Sequence, residues 1–192
     1  MKLLLYCPNV KPYLLCEPYI DKNKPCRLLR KDMDKTIYNC VKEQAVNGKI
    51  VAECNFKVEV VDTVRSWCST EDYEEVYETG TLCYDELLRK SGMNNQELDD
   101  YLYGEIGYAV HIKDIKIFEN PKELSDYEYT RRVKGEPTLR AVLFEAPRGM
   151  KKIIAGGTDA ILLPIRPEEL YRILNGEQTI IIKKRVLKEM KK

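Results

Sequence analysis

Ile161-Leu-Leu-Pro-Ile-Arg-Pro-Glu-Glu-Leu-Tyr-Arg-Ile-Leu-Asn-Gly-Glu-Gln-Thr-Ile-Ile-Ile-Lys-Lys-Arg185 reads as strand, helix, strand. Ile161–Ile165 is a short apolar run. Pro167 suits the first turn of a helix, where its missing N–H would have no partner. Leu170, Ile173 and Leu174 recur at i, i+3 and i+4 and bury one face. Asn175-Gly176 supplies a left-handed stop. Thr179-Ile-Ile-Ile182 then predicts a buried strand.

Working outward, Lys2–Cys7 is a second apolar run ending at Pro8 and reads as a strand. Asn47-Gly48 signals a tight turn. Lys49–Val61 follows as a long β-branched strand, with Ile50, Ala52, Cys54, Phe56, Val58 and Val60 expected on one face. Residues 62–80 read as acidic and irregular. Tyr84–Lys90 and Asn94–Leu102 predict two helices separated by Gly92. The second opens with capping chemistry and sets Leu98, Tyr101 and Leu102 on one stripe. Residues 81–103 thus form a helical excursion. Tyr108–Ile112, Ile115–Phe118 and Thr138–Phe144 read as strands, Asn120-Pro121 turns the chain out, and residues 126–138 form a charged linker.

The 192 residues suggest one domain, or one with an insertion. The 44% hydrophobic content supports an ordinary globular core. Leu3–Cys7 is too short to span a bilayer. Only Lys2 stands between Met1 and that run, and no small-residue cleavage site follows it, so no leader is expected. Seven cysteines without a C-x-x-C pair, beside one histidine, support neither a zinc site nor a disulfide framework. They read as mostly buried, reduced thiols of a cytoplasmic protein. No Walker loop, G-x-G-x-x-G fingerprint or H-E-x-x-H is present, so no cofactor or metal is expected.

Net charge is only +1, but it is unevenly spread. Residues 71–105 carry eleven acids against two bases, and residues 181–192 carry six bases against one acid. A polyanion would approach the second segment and avoid the first. A solvated lysine-rich tail without a partner is the alternative.

Gly107-Tyr-Ala-Val-His-Ile-Lys-Asp-Ile-Lys-Ile-Phe-Glu-Asn-Pro-Lys-Glu-Leu-Ser125 and Ile161–Arg185 both resemble the ASCH domain, a small barrel of the PUA-like superfamily. The Tyr-Ala-x-His-Ile stretch and the Pro-Lys-Glu-Leu-Ser ending carry the specific part. Gly48–Glu53 and Ala146-Pro147-Arg148-Gly149 resemble further segments of that family. There the helix–Gly–strand segment opens the domain, whereas here it closes the chain. The resemblance therefore implies an α+β fold, a small PUA-like/ASCH β-barrel with flanking helices. It would be a single circularly permuted domain over residues 1–192, with 158–192 moved to the C-terminus and 81–103 inserted. A truncated second copy is the other explanation of the order.

The resemblance implies RNA or nucleotide binding. Family members that hydrolyse an acetylated nucleoside use a Lys and a Thr from the strand after the Gly. Gln178 and Ile181 occupy those positions here and can supply neither a base nor a nucleophile. The binding reading nominates Arg166, Asn175, Gln178, Lys183, Lys184 and His111. Arg166 precedes a helix start, where N–H groups attract anions, and the lysines follow on the next strand. His111 is either a hydrogen-bonded structural residue or a ligand contact. Tyr108 is three residues away and falls on the opposite face. Tyr6, Tyr13 and Tyr19 near Lys11 could stack unpaired bases, or reflect a tyrosine-rich composition. Two alternatives stay open. One is a hydrolase of a modified nucleoside or RNA using His111 or a carboxylate such as Glu53. The other is a protein-interaction module using the acidic helical segment.

Overall fold

The computed structural model describes residues 1–8, 48–67, 73–131 and 138–191. Among the described residues, nine strands and three α-helices follow one another as β1 (Lys2–Tyr6), β2 (Ile50–Trp67), β3 (Tyr73–Thr79), α1 (Tyr84–Ser91), α2 (Asn95–Leu102), β4 (Gly107–Lys122), β5 (Glu128–Arg131), β6 (Leu139–Val142), β7 (Lys151–Ala155), β8 (Thr158–Pro164), α3 (Pro167–Leu174) and β9 (Ile180–Lys183). The strands form one mostly antiparallel sheet in the order β6-β5-β7-β8-β1-β2-β4-β9, with β3 paired to β2 off that path. The path has two unpaired ends, β6 and β9, so among the described residues it does not close into the expected barrel. Closure requires the first and last strands to pair with each other.

The chain divides into two compact units. The first comprises Met1–Glu53 with Lys116–Tyr171, and the second Cys54–Ile115 with Arg172–Lys192. Strands β2 and β4 each run through both.

In the first unit β1 pairs in parallel with β8, Lys2 opposite Ala160 through Tyr6 opposite Pro164. Leu3 and Leu5 are as buried as Leu4 and Tyr6, so β1 is covered on both faces. That explains why the run reads as continuously apolar rather than alternating. Leu4, Tyr6, Ile50, Leu124, Tyr127, Leu143, Ile153, Ala160 and Leu162 make one apolar core. Strands β7 and β8 form a hairpin with Ala155 opposite Thr158. The two residues between them, Gly156 and Gly157, have φ of 54° and 81°. A turn with positive φ at both central positions follows the right-handed twist of its strands, and only glycine adopts it without strain.

In the second unit Val61, Tyr77, Leu82, Leu87, Leu98, Leu102, Ala109, Ile180 and Ile182 form a separate core. The predicted helices are present at nearly the predicted bounds. Asn94 accepts from the Glu97 N–H while Glu97 accepts from the Asn94 N–H, a reciprocal cap that fixes the start of α2. Gly92, at φ 66°, ends α1. A Cβ there would stand 3.2 Å from Arg172 Nη1, which donates to the Gly92 carbonyl at 3.1 Å.

Five sequence expectations need correction. Residues 126–138 are not all linker, because Glu128–Arg131 is strand β5, paired with β6 and β7. Residues 62–80 are not irregular: β2 continues to Trp67, and β3 pairs back on it from Trp67 opposite Tyr73 to Val61 opposite Thr79. The acidic residues hid a strand whose buried members are Val76 and Tyr77. The predicted face of β2 holds at Ile50, Ala52 and Cys54, but Val60 is 50% exposed while Val61 is fully buried. The strand serves one core at its start and another at its end, so residues of opposite parity are buried. The two predicted strands after Gly107 are one, β4, which passes Asp114 in the left-handed region at φ 50°. Asn55 Nδ2 donates to Asp114 Oδ2 at 2.7 Å and holds that irregularity. Asn120-Pro121 does not turn the chain out, because the strand runs to Lys122.

Candidate functional site

Strands β4 and β9 run antiparallel, with Tyr108 opposite Lys183, Ala109 opposite Ile182, Val110 opposite Ile181 and His111 opposite Ile180. Ala109, Ile180 and Ile182 belong to the second core. His111 therefore projects on the core side, and Tyr108 with Lys183 projects on the other. The predicted separation of Tyr108 from His111 is observed, and it also divides Lys183 from His111.

On its own face His111 meets Glu59 of β2. Its Nε2 lies 3.3 Å from Glu59 Oε2, near enough to feel the charge but not aligned as a hydrogen bond. The side chains are 16% and 9% exposed. Glu59 is held on both oxygens. Lys57 Nζ donates to Oε1 at 2.5 Å, and the hydroxyls of Thr79 and Thr81 donate to Oε2 at 2.9 and 2.5 Å. The Thr79 hydroxyl also accepts from the N–H groups of Thr81 and Leu82, so the carboxylate clamps the turn that leaves β3. Burial pushes the Glu59 carboxyl up. The hydrogen bonds from Lys57, Thr81 and Thr79 and the charge of His111 overcome this and hold it at about 2. Burial lowers the imidazole below its ordinary range. Glu59 raises it, Lys57 and Lys113 lower it further, and the net shift is downward. A charged Glu59 beside a neutral His111 is the resulting state at neutral pH.

Two lysines of this unit stand over tyrosine rings. Lys184 Nζ stands 5.9 Å from the centre of the Tyr101 ring and 3.5 Å from Glu105 Oε2. Lys191 Nζ stands 4.2 Å from the centre of the Tyr108 ring and donates to its hydroxyl at 2.6 Å. Tyr103, at the end of α2 with φ 54°, is 84% exposed.

The six predicted residues divide between the two units. Arg166 lies in the first unit at the start of α3, where its carbonyl accepts from the Leu170 N–H. The other five lie in the second unit. Gln178 is 1% exposed and its Nε2 donates to the Ile180 carbonyl at 2.8 Å, so a nucleic acid cannot reach it. Its polarity braces the approach to β9. Asn175 is exposed beside Gly176, whose φ is 77°. Lys184 stands over Tyr101, and Lys183 shares the face of Tyr108.

Glu53 belongs to the first unit and lies 3.9 Å from Lys116, so the carboxylate at His111 is Glu59 instead. The sequence offered one signal for it. Lys57 and Glu59 are two residues apart on the polar side of a strand, so they share a face. Thr79 and Thr81 gave none, because they fall at the end of the stretch read as irregular. Of the proposed tyrosine strip, Tyr6 is buried in the first core, and Lys11, Tyr13 and Tyr19 lie outside the described residues.

The first unit has an open groove of about 380 Å³ lined by Tyr6, Gly48, Ser125, Leu143, Phe144 and neighbours, and none of the six predicted residues borders it. Among the described residues, no three His, Cys, Asp or Glu side chains gather as metal ligands, and no helix is long and apolar enough to cross a membrane. Cys7 and Cys54 are buried free thiols and Cys83 an exposed one. No family model, curated protein or solved structure matches the chain.

Proposed function

We propose that this chain binds single-stranded RNA or a nucleotide through the exposed tyrosines and lysines of its second unit. The observation that carries this reading is the set Tyr101, Tyr103 and Tyr108, with Lys184 and Lys191 standing over two of the rings. Every nucleobase offers a face for stacking on an aromatic ring, and the adjoining ammonium groups neutralise phosphates. Tyr103 leaves nearly its whole ring in water, as a stacking platform requires. The basic segment 181–192 and the resemblance to the ASCH domain support the same reading.

Fluorescence anisotropy of a labelled single-stranded RNA, titrated at low and near-physiological salt, tests it. Saturable binding that weakens with salt is expected. Lys184→Glu combined with Lys191→Glu should reduce affinity at low salt and flatten the salt dependence by about one unit of slope for each phosphate that is no longer neutralised. Tyr103→Ala should weaken binding at all salt concentrations, by about 1–3 kcal/mol if a base stacks there. Unchanged affinity in both variants would remove these residues from the interface.

A further inference from the structure

We infer that the open edge of β6 receives an extended acidic peptide from a partner protein, and that this peptide anchors an apolar side chain in the groove beside Phe144. The inference concerns the first unit and does not depend on the RNA reading. Strand β6 ends the sheet path and pairs on one side only, with β5. The Leu143 N–H donates to the Tyr127 carbonyl at 2.9 Å, one step beyond the register pair of Glu128 and Val142. Along an antiparallel pair, residues alternate between turning both backbone groups toward the partner strand and turning both away. Leu143, Ala141 and Leu139 therefore face β5, and Val142 and Arg140 turn their N–H and C=O groups outward. Their opposites on β5, Glu128 and Thr130, turn away from β6 by the same rule, and Glu128 pairs with Ile154 of β7. Among the described residues, Arg140 and Val142 have no backbone partner on the outer side. Two residues presenting N–H and C=O at i and i+2 are what an added strand requires.

The surroundings define the occupant. Phe144, 80% exposed, follows Val142 by two residues and borders the groove of about 380 Å³ that Leu124 and Leu143 also line. A strand added to β6 and continued past Val142 reaches this groove within two residues, at about 3.3 Å per residue. Main-chain bonds to the edge supply affinity, and a pocket for an alternate side chain supplies choice. At the other end of β6 stand Arg140 and, opposite Leu139, Arg131, both exposed. Arg140 meets Glu128 only at 4.0 Å. From Arg131 to Arg140 the sequence carries four bases and one acid. That charge favours a partner bearing carboxylates. It disfavours a second copy of this chain, because antiparallel pairing of two β6 edges would bring the same arginines to one seam. A nucleic acid would feel the same charge, but its backbone has no alternating N–H and C=O groups to match the edge.

The test pans the full chain against a phage-displayed library of random decapeptides, with the Val142→Pro variant beside it. Proline at this position deletes one outward N–H and leaves the bonds to β5 in place, as edge strands tolerate. Enriched sequences with Asp or Glu toward one end and a large apolar residue toward the other are expected. A labelled synthetic peptide of the leading sequence should bind the wild type saturably by fluorescence anisotropy. Val142→Pro should weaken that binding about tenfold or more, and so should N-methylation of every other amide of the peptide. Arg131→Glu combined with Arg140→Glu should weaken it at low salt, and Phe144→Ala at every salt concentration. If circular dichroism shows that Val142→Pro does not fold, the N-methylated peptide and Phe144→Ala carry the test. No enrichment, or equal binding after both Val142→Pro and N-methylation, would overturn the proposal. A dimer in analytical ultracentrifugation that Val142→Pro abolishes would overturn it too, by assigning the edge to a second copy. Loss of RNA affinity in the double arginine variant, with no peptide enriched, would overturn it by assigning the edge to a nucleic acid.

Discussion

In the first unit the ion pairs lie in water: Lys49 with Glu123 at 3.1 Å, Lys152 with Asp159 at 2.7 Å and Lys116 with Glu53 at 3.9 Å. Its interior holds neutral groups, and burial pushes the Cys7 thiol up to about 11 and the Tyr127 hydroxyl up to about 12. The second unit places a charged carboxylate, 9% exposed, at the edge of its apolar core and turns the chain's only histidine toward it. Exposed pairs contribute little, because water screens them and two long side chains must be ordered to make them. A sheltered carboxylate is stable only when its oxygens are occupied, as those of Glu59 are. The difference marks the second unit as the one that shelters a charged group beside its core.

The largest expected effects test whether the two cores are separate. Leu162→Ala in the first core and Leu98→Ala in the second should each cost about 2–5 kcal/mol in denaturant unfolding. Hydrogen exchange should lose protection mainly in the unit that carries the change. Equal loss in both units would merge them into one cooperative body.

The next effect sets the sheltered carboxylate against an exposed one. Glu59→Gln should cost about 1–2 kcal/mol at pH 7, because Lys57, Thr79 and Thr81 lose a charged acceptor. Glu123→Gln, at a carboxylate 57% exposed, should change stability by less than about 1 kcal/mol. The sign with pH follows from the lowered carboxyl of Glu59. Its contribution is complete above the ordinary value of 4.5 and is lost as pH falls toward about 2. Chemical denaturation between those limits should show a slope in the wild type that Glu59→Gln reduces. An undiminished slope would assign it to other carboxylates.

The smallest effect concerns local structure in the second unit. Asn94→Ala removes one half of the reciprocal cap of α2 and should cost about 1 kcal/mol by thermal unfolding. No measurable change would mean that packing of Leu98 and Leu102 alone fixes where the helix begins.

Legibility followed the range of the forces involved. Helices α1 and α2 were readable because the Asn94 cap, the Gly92 stop and the Leu98–Leu102 spacing act within a few residues. So was α3, through Pro167 and Gly176. Strand β3 was not readable, because its acidic residues look unstructured until β2 is there to pair with them. Gln178 looked like a surface contact because a strand's neighbours, and not its residue type, decide whether a polar side chain is buried. Lys184 was readable as a cation near the basic end, but not its place over Tyr101, some eighty residues earlier in the chain.

The sequence by itself determined the alternation of apolar runs with turn and cap signals, and hence most of the described strands and the three described α-helices. It also determined the uneven charge and the presence of a single histidine. Only the tertiary structure decided that the sheet stays open, which half of β2 serves which core, and that His111 faces Glu59 rather than Glu53. Those outcomes depend on strands meeting across tens of residues. Burial and carboxylate hydrogen bonding are properties of the space between such strands, and no single segment contains them.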